Sequence, residues 1–315
     1  MRTTKSILWT SCLAIVGLIF VANCEFVFSH GTVAFPKSRI YRVRFETDSA
    51  DILQQARSLD ANPSDSYFTW NQVSLFIPNA AGPNMSSAFD YSSFVPDAKI
   101  ASGNHRFDNW VSNGGVIEDG LDFTGVDIVS DQWPTTTVQA GDQITIDFLA
   151  TSPHSPSVFD VWITTSDWQP ATPLTWNQLQ VIGEFWNRHE GGPPLPKYGD
   201  RLEAIFEPEG KVVQGVSSHY FMDVTIPTDL QGHHVIWLAW QRDDPAGEVF
   251  FSASDVFVNG LMLGDVNQDG SVDLLDVAPF VELLSTGTFQ AEADINGDGE
   301  VNLLDVELFV ELLTS

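Results

Sequence analysis

Cysteine is almost absent from this sequence. Only Cys12 and Cys24 occur, and both lie in an N-terminal stretch that reads as a secretory leader. Arg2 and Lys5 open that stretch, and the apolar run from Ile7 to Ala22 follows, too short for a comfortable membrane span. Val27-Phe28-Ser29 then offers a tolerable residue at −3 and a small one at −1, so cleavage is expected before His30. A rival cut near Cys24 would use Val21-Ala22-Asn23-Cys24 as a lipoprotein box, where Asn is a poor residue before the Cys. With the leader removed no thiol remains. That excludes disulfides, cysteine nucleophiles and thiolate metal sites, in a compartment where disulfides are permitted. The mature chain is expected to be secreted, with no membrane segment.

Basic residues are also scarce. Lys and Arg total 14 against 42 Asp and Glu, for a formal net charge of −28. Such a chain repels phosphate backbones and anionic lipid, which argues against nucleic-acid and membrane-surface partners. Dense carboxylates suit calcium or a salty extracellular medium instead. The chain is not a disordered polyanion, because 43% of its residues are hydrophobic and 12% aromatic. Its 315 residues give room for about two domains.

From His30 to about Val258 the texture is all-β. Short alternating runs recur in QITIDFLA, VFDVWIT, YFMDVTI and VIWLAW, separated by turn-rich segments such as NAAGPN and EGGPPLPKYGD. The fold class expected is mainly β, an immunoglobulin- or fibronectin-III-like sandwich with long loops over residues 30–258. The stretch from about Asp48 to Phe107 shows no clear period. After a short linker, 259–263, a small helical domain with paired calcium loops is expected over 264–315.

That second domain is an internal repeat. GDVNQDGSVDLLDVAPFVELL is followed by ADINGDGEVNLLDVELFVELL, with Asp265 and Asp294 starting copies 29 residues apart. In the first copy Asp265, Asn267, Asp269, Asp273 and Asp276 place oxygen donors at loop positions 1, 3, 5, 9 and 12, and Ser271 adds its carbonyl. The second copy offers Asp294, Asn296, Asp298, Glu300, Asn302 and Asp305. Gly270 and Gly299 sit where such a loop turns sharply. Hard oxygen donors at this spacing select calcium, one ion per loop, over a transition metal. Read blandly, these would be two acidic turns capping helices. Apolar residues then fall at helical spacing, Val277, Phe280, Val281 and Leu284, then Val306, Phe309, Val310 and Leu313.

Each loop precedes one helix, and position 12 is Asp rather than the Glu of a typical EF-hand. The segment therefore resembles a type I dockerin, which implies docking onto a cohesin-like protein. Loop positions 10 and 11 help choose the partner in dockerins and are often hydroxylated. Here they are Leu274-Leu275 and Leu303-Leu304, which could instead pack on the protein's own sandwich.

Four blocks occur in order along the first domain: HGTVAFPKSRIY from His30, VPDAKIASGN, ATSPHSPSVFDVWITTSDWQP around His154, and VIWLAWQRDDPAGEVFFSASDV. Together they resemble the lytic polysaccharide monooxygenases of the chitin-binding type-4 family, auxiliary activity family ten. The resemblance implies copper held by the α-amine and ring of His30 and by the ring of His154, with Phe250 guarding the axial side. It further implies a cycle using O2 or H2O2 and an external reductant, with oxidation at C1 or C4 of crystalline chitin or cellulose. An acidic or amide residue from the loop around WNQV tunes oxygen chemistry in the family, and Gln72 is the candidate.

Departures from the family pattern are the missing disulfides, Ser152 in place of a common Ala, and about one extra residue between Trp240 and Phe250. That extra residue could shift the axial role to Phe251. In bland terms His30 would be a solvated residue, His154 a surface loop residue and Phe250 core. His105, His189, His219, His233 and His234 lack comparable context, and His233-His234 is expected at a strand edge. The alternative function is a non-catalytic chitin or polysaccharide binder with the same calcium module. A glycoside hydrolase comes third, since no acid and base pair stands out.

Overall fold

The computed structural model describes residues 30–46, 51–59, 72–77, 90–105, 110–112, 115–117, 121–152, 157–187, 202–207, 217–242 and 247–314. The leader and His189 lie outside them. In chain order the strands are β1 (His30–Phe35), β2 (Ser74–Phe76), β3 (Trp110–Ser112), β4 (Gly115–Ile117), β5 (Thr136–Gln139) and β6 (Gln143–Ser152). They continue as β7 (Ser157–Thr164), β8 (Leu179–Asn187), β9 (Leu202–Glu207), β10 (Ser217–Thr225), β11 (Gly232–Arg242) and β12 (Glu248–Asn259). The helices are α1 (Arg39–Phe45), α2 (Asp51–Leu59), α3 (Val277–Thr286) and α4 (Asp305–Thr314).

Two sheets face each other. One is antiparallel, in the order β1-β6-β10-β9; the other runs β2-β12-β11-β7-β8, with β5 parallel to the far end of β12. The period of two along a strand sends alternate side chains to opposite faces. On β12, Phe250, Val256 and Val258 enter the core between the sheets, beside Val33, Phe148 and Trp240. Val249, Phe251 and Ala253 enter a second core on the other face of the same sheet. β7 is buried along its whole length, as expected of a strand covered on both sides.

The second core explains the stretch that had no readable period. Tyr91, Val95 and Ile100, with Phe123 and Trp168, pack as an irregular layer on the outer face of the larger sheet. Their spacing follows tertiary contact rather than a helix or strand repeat. A buried ion pair ties this layer down: Arg39 donates to both carboxylate oxygens of Asp255 at 2.7 and 3.0 Å, and its guanidinium lies 4.6 Å over the Trp133 ring. Burial pushes the Asp255 carboxyl up, but the Arg39 charge and the bonds from His233 and Arg39 outweigh it and hold it below the usual range.

The C-terminal repeats fold around their own small core of Val266, Phe280, Ala293, Val301 and Phe309, with the Phe280 and Phe309 rings stacked 4.1 Å apart. The apolar stripes of α3 and α4 are only partly used. Val281 and Val310 are 55% and 52% exposed, on the side of each helix away from the Phe280–Phe309 core. The module nonetheless touches the sandwich. Leu261 packs on the sandwich core, and the turn at Gly141 (φ +87°) approaches Ala291 so closely that an added Cβ would lie 2.3 Å from the Ala291 Cβ. Gln268 and Asp142 line the same cavity between them, and Gln268 donates to Glu292 Oε1 at 3.2 Å. Leu274, Leu275, Leu303 and Leu304 take no part in this contact. They are 80%, 65%, 81% and 69% exposed, so packing of these leucines on the sandwich is overturned. Among the described residues no helix is long and apolar enough to cross a membrane.

Candidate functional site

His30 begins β1. Its backbone pairs with Ser152, the last residue of β6, and its carbonyl accepts from Thr151 Oγ1 at 3.5 Å. Burial lowers the ring's pKa to about 4, so the imidazole is neutral and keeps a lone pair at neutral pH. Gln72 reaches across 42 residues of sequence to meet it, with the side-chain amide against His30 Nε2. His154 falls between the end of β6 at Ser152 and the start of β7 at Ser157, outside the described residues.

Phe250 is tied to the same region through the backbone. It pairs with Ser74 of β2, two residues beyond Gln72. Two residues further along β12, Ser252 Oγ meets Thr32 Oγ1 at 3.0 Å and accepts from the Val33 amide at 3.2 Å, binding β12 to β1. Phe250 is fully buried, with its ring 5.3 Å from Trp240. Phe251 points the opposite way, stacked on Trp237 at 5.4 Å. Strand alternation therefore separates the two candidates for the axial position: only Phe250 shares a core with Val33 of β1.

Sequence reasoning passed over Glu248. It is 2% exposed at the head of β12 and accepts from Arg242 Nη1 at 2.9 Å. The run GEVFFSASDV carried the signal, an acid at the head of a strand whose next residues are apolar or small. The other histidines among the described residues are held in structural contacts. His105 is buried against Phe123 and accepts from the Ser74 amide through Nδ1 at 3.3 Å. His219 meets Asp147 at 2.7 Å. His233 and His234 lie within β11 rather than before it, held by Asp255 at 2.8 Å and Thr164 at 2.9 Å.

In each calcium-type loop the first and last aspartates organise the backbone. Asp265 accepts from the amides of Asp269 and Gly270, and Asp276 from those of Asn267 and Asp273. Asp294 and Asp305 repeat the pattern with Asp298, Gly299, Asn296 and Asn302. Gly270 and Gly299 both have φ +88°, the left-handed conformation that glycine adopts without strain. Asp276 and Asp305 are fully buried. A buried carboxylate favours a cation nearby over isolation. Among the described residues no three His, Cys, Asp or Glu side chains converge as a metal centre by themselves. A cation here would also draw on Asn267, Asn296 and the carbonyls of Ser271 and Glu300.

Comparison with known proteins supplies the family. Residues 263–313 match the dockerin type I domain, and residues 30–256 match the family described as lytic polysaccharide mono-oxygenase, cellulose-degrading. A lytic cellulose monooxygenase of Streptomyces ambofaciens is 24% identical over 255 residues, covering 79% of this chain and 58% of its own. A chitin-binding protein of Pseudomonas aeruginosa is 23% identical over 235 residues, covering 74% and 48%. The chain spans about half the length of these curated relatives. Two solved structures share the fold. An entomopoxvirus fusolin has TM-score 0.54 at 21% identity over 77% of this chain and 80% of the other. A cellulose-active member in complex with copper has TM-score 0.51 at 23% identity over 73% and 100%. Through its β-sandwich domain the chain thus belongs to the lytic polysaccharide mono-oxygenase family.

Proposed function

We propose that the protein is a secreted copper-dependent monooxygenase that cleaves glycosidic bonds in crystalline chitin or cellulose, carried on a calcium-binding docking module. The observation that carries the reading is the position of His30. It heads β1 as a neutral, half-buried ring, opposite the strand end that leads to His154, and the family match begins at this same residue.

The donor set fits copper: neutral nitrogens accommodate both oxidation states and tolerate a planar arrangement of three. After cleavage of the Ser29–His30 bond, His30 would contribute its amine and one ring nitrogen, and His154 a second ring nitrogen. Bound copper would supply one-electron redox chemistry that, with an external reductant and O2 or H2O2, hydroxylates C1 or C4 of a glycosidic linkage and so breaks it. Phe250, fixed in the core on the β1 side, would limit access to bound copper. The Arg242–Glu248 pair places a buried carboxylate two residues away.

The C-terminal module is read as binding two calcium ions through Asp265, Asn267, Asp269, Ser271, Asp273 and Asp276, and through Asp294, Asn296, Asp298, Glu300, Asn302 and Asp305. Its four exposed leucines at loop positions 10 and 11 favour a cohesin-like partner with an apolar docking face. The alternative, a non-catalytic polysaccharide binder, keeps the sandwich without the redox step, and the Pseudomonas relative is named for chitin binding alone.

Intact mass of the secreted protein, with and without copper, is the first test, followed by oxidised oligosaccharides released from chitin and cellulose with reductant. A mature chain starting anywhere but His30 would remove the amine donor and end the copper reading. Polysaccharide binding without oxidised products would favour the binder.

A further inference from the structure

We propose that Gln72 is a positioning residue for His30: its side-chain amide holds ring Nε2 and leaves Nδ1 as the nitrogen that chelates together with the α-amine. The inference rests on reading His30 as a copper ligand and gives Gln72 a different task from tuning the oxygen co-substrate.

An α-amine and Nδ1 of one histidine close a six-membered chelate. Nε2 lies on the far side of the imidazole, with its in-plane direction pointing away from the amine. A neutral imidazole carries one proton, on one nitrogen or the other. A proton on Nδ1 would block the chelate, so the productive tautomer carries it on Nε2. That proton needs an acceptor, and the residue in contact with His30 Nε2 is Gln72, whose carboxamide presents its nitrogen end to the ring in this structure. The two ends of a carboxamide exchange by a half-turn about the last bond, and the surrounding hydrogen bonds decide which faces a partner. With Nε2–H on the ring, the Gln72 carbonyl oxygen is the end that turns toward it and accepts.

Both partners are held by rigid backbone, which makes the contact a positioning device rather than a chance approach. On one side, His30 is paired with Ser152 and bonded from Thr151. On the other, Val73, next to Gln72, is buried, and its carbonyl accepts from the Phe251 amide at 2.8 Å. Ser74 follows, with its amide bonded to His105 Nδ1 and its backbone paired with Phe250. The segment that carries Gln72 is therefore pinned to β12, as is β1 through Ser252. Ligand histidines are generally oriented by such a partner on the second nitrogen.

The test uses the mature secreted protein with Gln72→Met, which keeps length but cannot accept, and Gln72→Glu, which keeps an acceptor. Copper(II) affinity should fall about 10- to 100-fold in Gln72→Met and stay close to wild type in Gln72→Glu. In metal-free protein, 15N NMR should show His30 protonated at Nε2 in wild type and in Gln72→Glu, and a tautomer mixture in Gln72→Met. The paramagnetic resonance spectrum of copper-loaded Gln72→Met should change with it. Wild-type affinity, spectrum and tautomer in Gln72→Met would overturn the proposal, and a slowed turnover alongside them would reassign Gln72 to the co-substrate. Should Gln72→Met fail to fold, an Nδ1-protonated His30 in wild type or in Gln72→Glu overturns it equally. Failure of wild type to bind copper would sink the parent reading, while the metal-free tautomer signal still reports on the Gln72–His30 bond.

Discussion

The dipeptide that opens β1 makes a sharp quantitative test, because the residue after His30 has no room to grow. A Cβ placed on Gly31 would lie 2.4 Å from Phe148 Cε1, 2.6 Å from Cζ and 3.1 Å from the Leu149 carbonyl oxygen. The ring cannot swing aside. Phe148 is fully buried, edge-on to Phe159 at 5.3 Å and to Trp240 at 5.2 Å. Overpacking of this kind costs about 1–3 kcal/mol, and replacing glycine returns up to about 1 kcal/mol by restricting the unfolded chain. The net loss expected for Gly31→Ala is about 1–2 kcal/mol, or roughly 2–8 °C in Tm for a domain of this size. The strain falls on β1 where its register with β6 already shifts between His30 and Gly31, so copper affinity should drop with stability. Thermal unfolding of Gly31→Ala, Phe148→Leu and the double variant forms a cycle that isolates the clash. Gly31→Ala should cost less once Phe148 is Leu. An equal cost in both backgrounds, or an unchanged Tm, would refute the reasoning.

Three further outcomes are expected. Asp255→Ala leaves the buried Arg39 guanidinium without its counter-charge and should destabilise the sandwich by about 3–5 kcal/mol in denaturant melts, far more than removal of the exposed Lys37–Glu46 contact. Burial raises the Asp160 carboxyl to about 7, with the Tyr91 hydroxyl donating to it at 3.0 Å. The folded state thus keeps a proton that the unfolded chain releases near its ordinary value, so the protein loses stability as pH rises from about 4 to about 7. Asp160→Asn should remove that loss, and its Tm advantage over wild type should grow across the same window. Removal of calcium with a chelator should melt the module built on Phe280 and Phe309, read as lost helical circular dichroism and new protease cuts after residue 264. The sandwich strands should persist.

Much of this architecture was legible in local pattern. The runs around Ile146 and Val224 alternate with period two and became β6 and β10, and the near-continuous apolar runs around Val161 and Ile236 became β7 and β11, covered on both faces. The calcium-type loops were legible for the same reason: donor spacing and the turn at Gly270 are fixed within twelve residues of chain. The stretch from Asp48 to Phe107 was not legible. Tyr91, Val95 and Ile100 are apolar because a sheet lies beneath them, and that sheet is made from residues far along the chain.

The sequence by itself determined the strand-rich class, the repeated loops and the histidine at the expected cleavage point, because periodicity and spacing act over a few residues. Only the tertiary structure decided which of Phe250 and Phe251 faces β1, because that depends on which side of β12 the second sheet packs. It alone exposed the four leucines, and it alone brought Gln72 to His30 and Arg39 to Asp255, contacts spanning 42 and 216 residues. Such pairings are set by how the layers close, and no local rule of side-chain spacing carries that information.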